Sequence, residues 1–368
     1  MAILGTRGVP ARYGGFETFA EQLAVRLAGR GHRVTVYRRT RYAVEEEVPG
    51  VQVITLPAVY TKHLETISHT ALSTLHCLRH PPDVALFCNA VNAPLCGLLG
   101  RAGVLTILNV DGLEWQRRKW NPLGRGIHLL SEHLAVALAR QIIADSKTIS
   151  TYYRDRHGAG TVFIPYGGEL TPPVSTSLLQ EMNLRPGAYD LCVCRFEPEN
   201  NPLLVVRAHA RMDTPVPLVM VGGSPYSRQY EQAVRRAAGP GVRFTGFRFG
   251  DGYRQLLFNA RAAIFAGEVG GTHPAILEAM AAGLALVYND TAENREAVGE
   301  AGLPYGPGGE EQLRAVWTRL AKEPALVVAL GRRARRRAGA RYRWEQVAGA
   351  YEKLFFALLP GDQPGVRE

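Results

Sequence analysis

Short continuous apolar runs recur along the chain, and between them lie longer stretches whose apolar residues fall at every third or fourth position. Continuous runs suit strands covered on both faces, and the wider spacing suits helices that cover them, so the pattern predicts parallel α/β architecture. Ala2-Ile-Leu4 opens the series, short for a central strand, which would fit a numbered start a few residues inside the natural one. The loop Gly5–Gly15 follows, then Phe16, Phe19, Leu23 and Leu27 at helical spacing, with an end near Gly29 and Gly31. Arg33–Tyr37, Val51–Leu56, Val84–Phe87, Val104–Leu108 and Gln141–Ala144 continue as strands, with helices such as Ile127–Arg140 between them.

The rhythm breaks near residues 165–187, where Pro165-Tyr-Gly-Gly168, Pro172-Pro173 and Arg185-Pro-Gly187 gather turn-forming residues. A second α/β series then runs through Leu191–Cys194, a helix from Pro202, Pro217–Val221 leading to Gly222-Gly223, Val242–Phe244, Ala262–Phe265 and Ala285–Tyr288. A length of 368 residues accommodates two domains of ordinary size, placed at 1–168 and 169–343. Trp344–Leu359 reads as a last amphipathic helix, with Trp344, Val347, Ala348, Tyr351, Leu354 and Phe355 on one face. Each half would hold a doubly wound sheet. Such sheets take ligands at the carboxyl ends of their strands, here in a cleft between the halves.

The most informative segment is Glu268-Val-Gly-Gly-Thr-His-Pro-Ala-Ile-Leu-Glu278. Gly270 and Gly271 let backbone approach a ligand, Thr272 suits an N-cap, Pro274 suits the first turn, and Ala275–Ala282 continues as helix. Unpaired N–H groups at such a start attract anions. Glu278, just over one turn on, repels phosphate but accepts hydrogen bonds from a sugar's hydroxyls, so the combination reads as a nucleotide-sugar site. An ordinary capped helix after a tight turn fits the same residues. Gly14 and Gly15 offer a similar approach before the first helix, or a plain structural turn. A dinucleotide fingerprint is excluded: no G-x-G-x-x-G occurs, and the second strand ends in Arg38-Arg39 where an acid would meet the ribose.

Composition narrows the class. With 46% hydrophobic and 21% charged residues the chain is globular, and no apolar run reaches the roughly 18 residues a membrane span needs. Met1-Ala-Ile-Leu-Gly is no signal peptide. Five cysteines form no CxxC pair and no metal spacing; Cys192 and Cys194 alternate in a strand and read as buried free thiols, so a reducing, cytoplasmic setting is expected. The net charge of +10 gathers around Arg332-Arg333-Ala-Arg335-Arg336-Arg337. That run reads as a solvated helix face or as a surface for peripheral contact with an anionic membrane at the inner face of the cell. No nucleic-acid motif accompanies it.

Four segments carry a resemblance: Gly5–Thr18, Thr61–Thr70, Asn109-Val-Asp-Gly-Leu-Glu-Trp-Gln-Arg-Arg-Lys-Trp120, and Gly270–Met280 with Ala281. Weaker echoes lie at Ala144-Asp-Ser146, Arg195-Phe-Glu-Pro-Glu-Asn-Asn201 and Tyr342-Arg-Trp-Glu345. On these the chain resembles the GT-B glycosyltransferases of retaining family 4, closest to a rhamnosyltransferase-like branch of bacterial surface-polysaccharide biosynthesis. The resemblance implies two Rossmann-like doubly wound domains facing across a cleft, acceptor on the first and nucleotide diphosphate on the second, with the helix of about residues 344–359 crossing back onto the first. It implies a nucleotide-sugar donor, with dTDP-rhamnose the implied case, a saccharide or lipid-linked saccharide acceptor, retained anomeric configuration and no cofactor.

Residue by residue, Glu278 matches the terminal glutamate of the family's paired-glutamate motif, which grips ribose hydroxyls. Its partner should fall at Gly270, whereas Glu268 lies two residues upstream. Arg195 matches the arginine on the diphosphate, although Asn200 and Asn201 stand where a companion lysine is usual; Arg7 or Arg12 would then help. Gly14 and Gly15 match the first-domain glycine loop. The donor set is Gly14, Gly15, Arg195, Gly270, Gly271, Thr272, His273 and Glu278, and the catalytic candidates are Asp111, Arg195 and Glu268. Asp111 follows a strand end, where it would meet a sugar hydroxyl or close an Asx turn. On the acceptor side, His63 and His69 would line the site and Trp115 would stack on sugar, roles that compete with scaffold and core packing. No D-x-D pair is present, so metal dependence is not expected. A sugar-nucleotide epimerase of the same fold, and more remotely a basic nucleic-acid-binding protein, are the rival readings.

Overall fold

Parallel strands covered on both faces are largely apolar, and the central strands of this protein follow that rule with a few buried polar exceptions. The computed structural model describes residues 1–12, 14–61, 63–213, 216–224, 227–306 and 309–359; Tyr13 and Lys62, within two of the segments quoted above, lie outside them. Two units result: Met1–Trp115, Pro122–Pro165 and the segment from Trp344 form the first, and Gln116–Asn121 with Tyr166–Arg343 form the second.

The first unit runs β1 (Ala2–Leu4), α1 (Gly15–Gly29), β2 (Val34–Arg39), β3 (Val51–Leu56), α2 (Glu65–Arg79), β4 (Val84–Cys88), α3 (Ala93–Arg101), β5 (Leu105–Asn109), α4 (Pro122–Leu138), β6 (Gln141–Ala144), α5 (Lys147–His157) and β7 (Val162–Phe163). Its seven strands are ordered β3-β2-β1-β4-β5-β6-β7, all pairs parallel. The order reverses between β1 and β4, so right-handed crossovers put α1 on one face of the sheet and α2, α3 and α4 on the other. Cys77 of α2, Cys96 of α3 and Ala135 of α4 accordingly share one core. The last helix, Trp344–Leu358, packs on α1: the rings of Phe19 and Tyr351 lie 5.4 Å apart, and Glu352 pairs with Arg30 and His32 at 2.7 Å each.

In α2 the buried positions are Glu65, His69, Thr70, Ser73, Thr74 and Cys77, an unusually polar inner face. The hydroxyls of Thr70, Ser73 and Thr74 each donate to the carbonyl four residues back, at 2.8–2.9 Å, so the helix satisfies these buried hydroxyls itself.

The second unit runs α6 (Ser177–Glu181), β8 (Asp190–Val193), α7 (Pro202–Ala210), β9 (Leu218–Val221), α8 (Arg228–Ala237), β10 (Val242–Gly246), α9 (Gly250–Phe258), β11 (Ala262–Phe265), α10 (Pro274–Ala282), β12 (Ala285–Asn289), α11 (Ala292–Val298), β13 (Gly302–Tyr305), α12 (Gly309–Lys322) and α13 (Pro324–Arg341). Its parallel sheet is ordered β10-β9-β8-β11-β12-β13. Asp190 starts β8 fully buried and accepts from Arg261 at 2.9 and 2.6 Å and from the Trp317 indole at 2.6 Å, which ties α12 to the sheet.

The arginine run lies on α13 and is not a uniform solvated face. Gly331 meets the end of α10 so closely that a Cβ there would come within 2.3 Å of the Gly283 carbonyl oxygen. Arg335 then donates to the Ala282 carbonyl at 2.7 Å, and Arg337 to those of Ala297 and Glu296 at 2.8 and 2.7 Å. Two arginines thus close helix C-termini. Arg332, Arg333 and Arg336 are exposed.

Candidate functional site

In the second sheet, β8 and β11 are neighbours from which the chain departs in opposite directions, the point where open α/β sheets bind ligands. Two loops diverge there. One leaves β8 through Arg195 to Asn201 and enters α7; the other leaves β11 through Glu268 and Gly271 and enters α10. They are tied together, since the Glu268 amide donates to the Glu199 carbonyl at 2.9 Å and the Asn201 side chain donates to the Ala266 carbonyl at 3.0 Å. Gly222 closes the floor from β9, at φ +134 with the Cys194 carbonyl oxygen 1.9 Å from where a Cβ would stand.

The N-cap of α10 is His273, not Thr272; Thr272 is buried one residue before it. A proline at the first helical position suits either register, and the structure takes the later one. The His273 ring lies 4.8 Å from that of Phe265 and folds over Gly270, where a Cβ would come within 2.2 Å of it. That contact explains why position 270 holds no glutamate: any side chain there displaces His273. Burial, with the charges of Arg117 and Arg195 adding to it, pushes the His273 pKa down to about 3. The ring is therefore neutral, and two guanidinium groups share its surroundings. The first turn of α10 carries no acidic residue. The positive end of a helix dipole and two nearby arginines are features that suit an anion.

Glu278 is 7% exposed and receives the Tyr253 hydroxyl of α9 at 2.6 Å. Burial raises its pKa to about 7, the Tyr253 bond opposing the rise. A carboxylate held near neutrality without a counter-ion hydrogen bond is suited to accept donors from a ligand that displaces water.

Asn200 and Asn201 brace the loop: Asn200 donates to the Arg195 carbonyl at 2.9 Å, and Asn201, at φ 52, also donates to Glu268 at 2.8 Å. Neither is a cation. Gln116–Asn121, a hexapeptide lying after β5 in sequence but belonging to the second unit, brings further arginines to these loops. Arg117 is 5% exposed and 3.8 Å from the fully buried carboxylate of Glu199; Arg118 pairs with Glu268 at 2.8 Å. Arg117, Glu199 and Tyr253 went unread in the sequence. The Arg117-Arg118-Lys119 run was visible, but nothing in its spacing says which unit it joins.

The remaining candidates belong to the first unit. Gly14 caps α1 and Gly15 starts it. Glu17, in the first turn and 6% exposed, accepts from the Arg7 amide at 2.8 Å, and its other oxygen would touch a Cβ on Gly14 at 3.3 Å. Arg12 is occupied at the surface by Glu46 at 2.8 Å. Asp111 sits at φ 56, and the Asx turn belongs to Asn109, whose side-chain oxygen accepts from the Asp111 amide at 3.1 Å. His69 is fully buried, its pKa lowered to about 4 by burial and the Arg39 charge, beside the Arg39–Glu65 pair at 2.9 Å. His63 is exposed, and Trp115 packs partly buried against the core of this unit. Among the described residues no three His, Cys, Asp or Glu side chains gather as metal ligands, and no helix is long and apolar enough to cross a membrane.

Comparison with known proteins fits this architecture. Residues 14–167 match a glycosyl transferase 4-like domain and residues 189–323 match glycosyl transferases group 1. Among solved structures, sucrose-phosphate synthase from Thermosynechococcus elongatus is similar at 22% identity and a TM-score of 0.80, covering 97% of this chain and 98% of its own. HepE from Anabaena, solved with UDP-glucose, is 17% identical with a TM-score of 0.77 over 97% and 99% of the two chains. WaaG, a glycosyltransferase involved in lipopolysaccharide biosynthesis, is 16% identical with a TM-score of 0.76 over 98% and 100%. At such identities the likeness is one of fold. No curated protein sequence matches closely enough to count as a relative. The chain, matched over most of its length by the two domains in turn, belongs to the GT-B glycosyltransferases.

Proposed function

We propose that the second unit holds the diphosphate of a nucleotide sugar at the start of α10, and that the enzyme transfers the sugar, rhamnose from dTDP-rhamnose by resemblance, to a saccharide or lipid-linked saccharide with retained configuration. The observation that carries the reading is the pair Arg117 and Arg195 around a neutral His273 cap, with no acid in the first turn and Glu278 one turn below. The amides and guanidinium groups neutralise the diphosphate, and Glu278 accepts the ribose hydroxyls. HepE, solved with UDP-glucose, supports a nucleotide-diphosphate sugar as the donor class.

In this reading the leaving diphosphate gains negative charge as the glycosidic bond breaks, and Arg195 with Arg117 stabilises that charge more in the transition state than in the ground state. The acceptor hydroxyl attacks from the face the diphosphate leaves, passing its proton to a departing phosphate oxygen. Two fixed cations do the neutralising that a metal does elsewhere, so chelation with EDTA should leave turnover unchanged.

A thermal-shift panel of nucleoside diphosphates and nucleotide sugars tests the reading, because a ligand of the folded state raises its melting temperature. A dTDP-selective shift that Glu278→Ala abolishes is expected. A UDP-selective shift would overturn dTDP-rhamnose and keep the donor class; no shift with any member would overturn the site. Incubation with donor alone should return it unaltered, whereas conversion to an epimer would favour the rival activity. NMR of the transferred sugar's anomeric proton reads retention directly.

A further inference from the structure

Two helices of the first unit are built inside out. On α2 the buried side chains are mostly polar, while Leu72, Leu75 and Leu78, at a spacing of three, are 38%, 47% and 36% exposed. On α4 the buried residues are Gly124, His128, Ser131, Glu132 and Ala135, while Leu123, Ile127 and Leu130 are 73%, 49% and 59% exposed. Between them α3 exposes Leu98. Nine of the fifteen large apolar side chains exposed among the described residues lie on these helices or the loop leading into α2. Ordinary amphipathic helices turn such residues inward, and a soluble surface seldom concentrates them.

Charge on the same helices is one-sided. Their carboxylates, Glu65 and Glu132, are both 4% exposed, so among the described residues no acid shows on α2, α3 or α4, whereas Arg79, Arg101 and Arg125 are exposed. None of the nine apolar residues is aromatic. Protein interfaces draw their binding energy from Trp, Tyr and Arg and under-use Leu. Leucine and isoleucine accompanied by arginine, with no exposed acid on these helices, instead match a helix face lying in the headgroup region of an anionic bilayer.

We propose that the outer face of α2, α3 and α4 is where this enzyme rests on the surface of an anionic membrane, and that the exposed arginines of α13 are not. Such a seat would keep the first unit where a lipid-linked acceptor resides. It does not depend on the donor assignment, since binding to vesicles needs no nucleotide.

Flotation of the full chain with phosphatidylglycerol–phosphatidylcholine vesicles tests it. Wild-type protein should float, less as salt is raised and less with phosphatidylcholine alone. Leu75→Ser/Ile127→Ser/Leu130→Ser should lose binding by roughly ten-fold per inserting side chain, and Arg79→Ser/Arg125→Ser by about five-fold per charge. Arg332→Ser/Arg333→Ser/Arg336→Ser should float as wild type. Melting temperatures read alongside exclude unfolding, and the arginine pair, being wholly at the surface, serves if the apolar triple fails to fold. Flotation unchanged in both α2/α4 variants, or lost only in the α13 triple, would overturn the proposal. So would absence of flotation together with a dimer, seen by sedimentation, that the apolar triple dissociates.

Discussion

Two helices in this enzyme begin alike in sequence and unlike in charge. Both α1 and α10 come after a strand and begin at or just beyond a glycine pair, and helix starts of this kind invite an anion. At α1 the invitation is already taken: Glu17 sits in the first turn, folds toward Gly14 and accepts the Arg7 amide at 2.8 Å. At α10 the first turn holds no acid, and burial, with the charges of Arg117 and Arg195 adding to it, depresses the His273 pKa to about 3. A glycine pair licenses close approach, and the sign of the surrounding charge decides what approaches. Phosphate suits α10; hydroxyl donors suit α1.

The sharpest way to break that contrast is to remove Arg117. If it serves only as counter-ion to Glu199, the site loses a cation without losing donor affinity of its own. Arg117→Ala should lower stability by about 3 kcal/mol, because it strands a buried carboxylate, and Glu199→Gln added to it should recover much of the loss in urea unfolding. The recovered double variant should still bind nucleoside diphosphate at least about ten-fold more weakly by calorimetry, since a hydrogen bond to a charged group contributes roughly 1.5–3 kcal/mol. Full affinity in the double variant would reduce Arg117 to a structural role.

Next in size, Arg195→Ala should weaken donor binding by roughly 10- to 100-fold with little change in melting temperature, whereas Glu17→Gln at α1 should move donor affinity by less than about two-fold. Equal losses from the two would mean that both helices hold phosphate, and the contrast would dissolve.

Much of this arrangement could be read before the structure, and the exceptions share a cause. Gln141–Ala144 and Ala262–Phe265 are legible because a strand covered on both faces is an apolar run, whereas Val51–Leu56, an edge strand with Gln52 and Thr55 exposed, is legible from its β-branched and apolar residues. Two-residue β7 and five-residue α6 were lost among turn residues, their order coming from neighbours rather than from their own pattern. The inner face of α2 defeats periodicity outright: its buried threonines and serine are paid for by carbonyls of the same helix, which no hydropathy pattern records. Glu278 could be singled out from its motif, but its hydroxyl partner, Tyr253, is 25 residues away on α9. Arg117 was legible as a charge and illegible as a neighbour.

Glu278 also gives the contrast a pH axis. Its pKa is raised from 4.5 to about 7 by burial, so the stability tied to its neutral form is present below the ordinary value and is lost as pH rises through about 7. Glu278→Gln should therefore gain stability relative to wild type above pH 7 and lose that advantage below pH 5. Donor binding runs the opposite way. Ribose hydroxyls favour the ionised carboxylate, so affinity should climb by about ten-fold between pH 6 and 8, with a proton released on binding near pH 6. Calorimetry in buffers of different ionisation enthalpy measures that proton directly. A flat affinity profile in wild type would take Glu278 out of the ligand's reach.

The smallest effect concerns Glu268, which stands two residues from the position a paired glutamate would occupy. Its carboxylate is 30% exposed, accepts from Asn201 at 2.8 Å and pairs with Arg118, itself 59% exposed. A pair this open to water should couple by only about 0.2–1 kcal/mol in a double-mutant cycle of Arg118→Ala and Glu268→Gln, and less in high salt. Donor affinity should fall less in either variant than in Arg195→Ala, because the Arg118 charge is already balanced and screened while the Arg195 charge acts on the His273 cap. A coupling well above 1 kcal/mol that survives salt would show the pair to be desolvated. Glu268 would then place a firm negative charge beside α10, and the difference between the two glycine-led helices would be one of degree rather than of sign.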